Sequence, residues 1–328
     1  MRRALVTLVM LALAAPATGA PPKEPPMHRD TVNTAAVSAD GATLLTGSTS
    51  GEVVWWSTAP FRAMRELVAG ASGEERGRIA ALAVDARGER AAVAADWAKA
   101  VEVWTLLGDA PAMTPLPAHG VRTTALAWSP DGLLATAGHD RGPARADDDD
   151  DALPPMLPAV VRLWSGTRLV RELEGPPGRV TALAFGPGGH LSAGGDGEAR
   201  EWDAATGALR GKTKTAGQVA AIVYVGDERC VVAAEGAACG GAQSAEVRGV
   251  RAPTLAAAVT AAHVAAGTYE ALVVTRRSDG SAVAQIPGRA AAVVPVRGDL
   301  WAVFESSIVV LHEGAPSGAS HNVRVLAQ

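Results

Sequence analysis

Five consecutive carboxylates, Asp147, Asp148, Asp149, Asp150 and Asp151, form the densest group of chemically capable side chains in this sequence. Acids so close together repel one another and stay solvated unless a cation or a basic partner neutralises them. A calcium loop needs oxygens at alternating positions around a bend that Gly permits. Here the run continues into Ala152-Leu153-Pro154-Pro155 with no such Gly, so a basic protein or peptide fits better than calcium. Flanking His139 and Arg141 are candidate members of the same partner-binding surface. Cys230 and Cys239 lie nine positions apart and are either a disulfide, which an oxidising compartment permits, or two reduced small side chains. GALRGKT, from Gly207 to Thr213, is one residue short of a phosphate-binding loop and falls between strands instead of between a strand and a helix. The seven His residues are scattered, and there is no HExxH, GxSxG or GxGxxG spacing, so no metal, cofactor or catalytic residue is expected. The basic residues do not group into a patch and the calculated pI is about 6.0, which argues against nucleic acid.

The elements that carry these residues repeat along the chain. Val121 to Gly132 reads VRTTALAWSPDG, Leu133 to Asp140 reads LLATAGHD, and Val160 to Trp164 reads VVRLW. Apolar residues alternate through Ala125, Ala127 and Leu133, Ala135, while SPDG joins a φ-fixing Pro to a φ-permissive Gly, so three short antiparallel strands with a tight turn are predicted. VTALAFGPGG, VNTAAVSADG, IAALAVDARG and, more loosely, VAAIVYVGDE copy the first piece. EVVWWS, AVEVWT and EAREWD copy the last, each with a Trp near its end.

In these residues the chain resembles the Trp-Asp (WD) repeat family of β-propellers, whose repeats of about 40 residues each form one four-stranded blade. The likeness is specific from Thr31 to about Gly211 and weaker beyond, and only Trp202-Asp203 keeps the dipeptide itself. It implies an all-β fold, a propeller of about seven four-stranded antiparallel blades. It also implies a structural set per blade: a His before the first strand, an Asp in the turn after the second, and the Trp of the third. His119, Asp140 and Trp164 match in the third blade, Asp196 and Trp202 in the fourth, and Trp56 and Trp104 stand at the Trp position of the first two. The first blade has Ser50 where Asp is expected, and the fourth has Gly178-Arg179 in place of His. Four final strands are expected at Ala290 to Val296, Leu300 to Glu305, Ile308 to His312 and Asn322 to Leu326, the last of these places going either to that segment or to one near Met27, with the last blade meeting the first to close the ring.

Composition fits an all-β chain: 48% hydrophobic residues supply a core, and 36 Gly with 21 Pro supply turns. Residues 1 to 20, with Arg2-Arg3, an apolar run and Ala15-Pro16-Ala17, read as a signal peptide too short to serve as a stable membrane anchor. Residues 21 to 30 form a Pro-rich linker, and residues 31 to 328 the propeller, with an acidic insertion at 141 to 158 that sets the sign of the −4 net charge. Ala/Gly/Arg-biased usage points to a bacterial source, and so to a periplasmic or secreted monomer. The resemblance implies a non-catalytic platform that binds a protein or peptide, with the acidic run calling for a basic one. The alternative is a ligand-binding, calcium-binding or catalytic propeller acting at the central channel mouth. Inner strands rich in Ala, Val and Leu offer few convergent polar groups and favour the platform.

Overall fold

The computed structural model describes residues 27–67, 77–96, 98, 100–108, 111–117, 119–141, 156–234, 236–240, 243–245 and 256–322. The signal-peptide expectation, most of the linker and the acidic run Asp147 to Asp151 lie outside them.

Short meanders follow one another around a ring. The first comprises β1 (Val32–Val37), β2 (Thr43–Ser48), β3 (Val53–Thr58) and β4 (Phe61–Leu67). The second comprises β5 (Ile79–Val84), β6 (Arg90–Ala95), β7 (Ala100–Thr105) and β8 (Ala112–Pro117). The third comprises β9 (Arg122–Trp128), β10 (Leu133–Arg141), β11 (Met156–Ser165) and β12 (Arg168–Glu174). Next come β13 (Ala182–Gly186), β14 (His190–Gly194), β15 (Asp196–Asp203), β16 (Leu209–Val225), β17 (Glu228–Ala233), β18 (Gly236–Cys239) and β19 (Gln243–Ala245). The last two sets are β20 (Ala256–Val259), β21 (His263–Gly267), β22 (Ala271–Arg276), β23 (Ala282–Pro287) and β24 (Ala292–Val296), β25 (Asp299–Val303), β26 (Ser307–His312), β27 (Ala315–Asn322).

These strands make six continuous sheets, five of four strands and one of seven. The seven-stranded sheet carries two blades, because β16 pairs with β15 through Leu209 to Gln218 and with β17 through Val219 to Val225. One long strand is thus the outer strand of the fourth blade and the inner strand of the fifth. Among the described residues, seven inner strands surround the channel, whose wall is drawn from residues such as Thr34, Leu82, Leu126, Leu183, Ile222, Ala257 and Val293.

Local chemistry sets the tight turns. In the first and third blades Ser38 Oγ and Ser129 Oγ donate to Asp40 Oδ1 and Asp131 Oδ1 two residues on, at 2.5 and 2.6 Å. Gly41 and Gly132 then reverse the chain with φ of 66° and 93°, values an L side chain rarely adopts. In the second blade Asp85 replaces Ser and accepts from the N–H of Glu89 and of Arg90 at 2.8 and 3.1 Å.

Buried side chains sit between neighbouring blades instead of in one central core. Leu45, Val53 and Ile79 join the first blade to the second, and Val101, Leu116 and Trp164 the second to the third. The ring closes through packing of Val32, Val54 and Trp56 on Val294, Trp301 and Ile308. Phe61 stacks on Trp56 and on His321, with ring centroids 5.1 and 4.1 Å away, and the N–H of Val32 donates to the Glu305 carbonyl at 3.0 Å. One expectation is corrected here: the outermost strand of the last blade is Ala315–Asn322, not Asn322 to Leu326. Pro316 and Gly318 read as turn residues, yet an outer strand has one unpaired edge and tolerates both.

Candidate interaction surface

Antiparallel meandering places the links between blades on the same face as the turn after each second strand. The turns after each first and third strand lie on the opposite face. The side chains expected to form the structural sets lie beneath the link face.

In the third blade His119 and Trp164 do meet, but through a residue the sequence reading missed. His119 Nε2 and Trp164 Nε1 both reach Thr136 Oγ1, each at 3.1 Å. The first blade builds the same triad from His28, Thr46 and Trp56: Nε2 of His28 is 2.6 Å and Nε1 of Trp56 is 2.7 Å from Thr46 Oγ1. An indole N–H can only donate, so the Thr46 hydroxyl accepts from Trp56 and makes its second hydrogen bond with the His28 imidazole. All three side chains are buried. Burial, followed by the nearby Arg162 charge, lowers the His119 pKa to about 4, and burial lowers His28 to about 4 against the opposing pull of Glu52.

The acidic member differs from blade to blade. Asp140 accepts from the N–H of Gly120 and from Arg162 Nη2, both at 2.5 Å, and so ties the link to the third strand without touching His119. In the first blade Glu52, not Ser50, takes that part, 3.6 Å from His28 Nδ1 and 2.8 Å from the N–H of Arg29. Where Thr46 and Thr136 stand, two residues beyond the partner of each Trp, the second and fourth blades have Val93 and Ala193. Trp104 Nε1 turns instead to Glu102 Oε2 at 3.0 Å, and Asp196 accepts from the N–H of Arg179 at 3.4 Å. Trp202 is buried among the side chains between blades. The signal for Thr was available in the aligned second strands, where Thr46 and Thr136 stand two residues after Leu44 and Leu134.

His139 is buried, with Nδ1 3.2 Å from the Leu157 carbonyl. Arg141 pairs with Met156 at the last register of β10 and β11. Cys230 and Cys239 are direct partners across β17 and β18, and the structure joins their sulfurs. Among the described residues no three His, Cys, Asp or Glu side chains come together as a metal site, and no helix is long and apolar enough to cross a membrane.

The channel contains a cavity of about 290 Å³ whose wall is almost entirely Ala, Val, Leu, Ile and Thr. Nothing there pairs a nucleophile with a base or points polar groups at a common point. A closed ring of four-stranded antiparallel blades with repeated His-Thr-Trp bracing defines a β-propeller. Residues 20–57 and 167–203 match the family model of the WD domain, G-beta repeat, which supports the likeness of the chain to the WD-repeat family. No curated protein matches the chain.

Proposed function

We propose that the protein is an exported, non-catalytic platform that holds a protein or peptide on the link face of its propeller. The observation that carries this reading is the channel wall: the concave site at the centre of the ring is lined by small apolar side chains and Thr, which can seat a segment of chain and set no base beside a Thr hydroxyl to activate it. WD-repeat propellers generally bind proteins or peptides, and the buried His-Thr-Trp triads hold the ring rigid, so ordering costs little on binding. Export is supported by the charged and apolar start of the sequence and by the Cys230–Cys239 pairing, which an oxidising compartment favours.

The test is panning of a random peptide library on the immobilised chain, with each enriched peptide then titrated by calorimetry. One-to-one binding without change to the peptide is expected. Failure to enrich any peptide, or cleavage of those enriched, would contradict the platform. The finer expectation, that Asp147 to Asp151 attract a basic partner, is tested by replacing all five with Asn. Affinity for a cationic peptide should fall at low salt while thermal stability is unchanged.

A further inference from the structure

Three arginines far apart in sequence occupy one position of the repeat. Counting back four residues from Leu82, Leu126 and Leu183, in the matching inner strands β5, β9 and β13, reaches Arg78, Arg122 and Arg179. The first and fifth blades have Thr31 and Gln218 at that place. Because β5, β9 and β13 are adjacent around the ring, all three arginines rise from the link face at neighbouring blades. Two residues further along each strand lie Ala80, Thr124 and Thr181, in the wall of the channel cavity. The expectation that basic residues form no patch is therefore corrected by the fold, which gathers what the linear sequence disperses.

Only part of this positive charge is neutralised. Arg122 Nη2 lies 2.6 Å from Asp96 Oδ1, and the N–H of Asp96 donates to the Arg78 carbonyl at 2.8 Å. Asp196 receives the backbone N–H of Arg179, not its guanidinium. Arg78 and Arg179 are exposed, and among the described residues neither guanidinium forms a salt bridge. The Arg179 side chain reaches solvent but is partly covered. Its pKa is lowered by that partial burial and then by the charges of Arg122 and Arg78, partly offset by Asp96 and Asp196. The three cations thus share one field.

Building on the platform reading, we propose that Arg78, Arg122 and Arg179 form a recognition site for a carboxylate-bearing peptide segment, seated over the channel mouth. A guanidinium matches a planar carboxylate with two parallel N–H donors, and neighbouring unpaired guanidiniums gain most when an acid arrives. A long polyanion fits worse: the chain as a whole is acidic at −4, and Asp96 and Asp196 interrupt the patch, so a nucleic-acid backbone would be repelled beyond it. A partner that also carries basic residues toward Asp147 to Asp151 is compatible, since interfaces commonly match both signs.

The experiment titrates fluorescent octapeptides of alternating Glu-Gly, Lys-Gly and Ser-Gly, and an oligothymidylate, against the full chain at low and high salt. The same titrations use R78Q/R179Q, which spares the Arg122–Asp96 pair, and R168Q as a charge control elsewhere. The Glu-Gly peptide should bind best, weaken with salt, and lose at least about fivefold in affinity in R78Q/R179Q but not in R168Q, at unchanged melting temperature. Equal binding of that peptide to wild type and R78Q/R179Q overturns the site, as does tighter binding of the oligothymidylate. If panning enriches peptides that bind R78Q/R179Q as well as wild type, the platform stands and the arginine site falls; if panning enriches none, the platform itself has failed.

Discussion

At the scale of single residues, two buried hydroxyls brace the ring. Replacing Thr46 by Val keeps the volume but leaves the Trp56 indole and the His28 imidazole unpaired in a buried site, at a cost of about 2–4 kcal/mol. Urea denaturation should show it, and Thr136→Val should behave similarly. In contrast, Val93→Thr should give no comparable gain, because Trp104 already has Glu102 as its partner. The same buried imidazoles make stability depend on pH. His28 and His119 have folded pKa values near 4 against an ordinary 6.5, so between those values the unfolded chain binds protons that the folded chain refuses. Their contribution is complete above pH 6.5 and is lost as pH falls toward 4; at pH 5 the loss is about 2 kcal/mol for each. A His119→Gln variant should therefore be less stable at pH 7 yet show a shallower decline between pH 7 and pH 5. An equal decline would refute the assignment.

At the scale of elements, close approach of backbone and ring matters as much as strand pattern. Gly138 in β10 lies under the third blade's link, where an added Cβ would stand 2.2 Å from the Arg122 carbonyl and 2.6 Å from the His119 ring. Gly138→Ala should destabilise by at least about 2 kcal/mol although Ala suits a strand, and thermal unfolding would measure it. Most strands were legible in the sequence because their causes are local: the SADG, DARG and SPDG turns, and the Trp ending each of the early third strands. Elements without local cause were harder to read. The fifth blade lacks a Trp, and β16 runs through the blade boundary because its pairing with β15 slips between Lys214 and Gln218, around Ala216-Gly217, and pairing with β17 follows at once from Val219. Likewise β27 hides behind Pro316 and Gly318, which only its edge position excuses.

At the scale of the whole molecule, ring closure joins the first and last blades through packed side chains and the Val32 N–H to Glu305 carbonyl bond, since β1 to β4 and β24 to β27 each complete a sheet of their own. The stack of Trp56, Phe61 and His321 crosses that seam. Phe61→Ala should lower stability by about 2–3 kcal/mol and speed hydrogen exchange first in the first and last blades. Protein recovered from its native compartment should show no titratable thiol after denaturation without reductant, given the Cys230–Cys239 bond; two thiols would place the chain in a reducing compartment. The candidate site was the least legible part, because a basic patch assembled from Arg78, Arg122 and Arg179 exists only once the blades are arranged in a circle. Its single hint was that all three share one position in the aligned repeats.

The measurement that bears most directly on the platform is hydrogen exchange of the full chain with and without a peptide obtained by panning. The account predicts slowed exchange at the links that enter β5, β9 and β13 and at the turn after β6, with the peptide recovered intact. Protection confined to the opposite face or to the outer strands, or a peptide recovered cleaved, would contradict it.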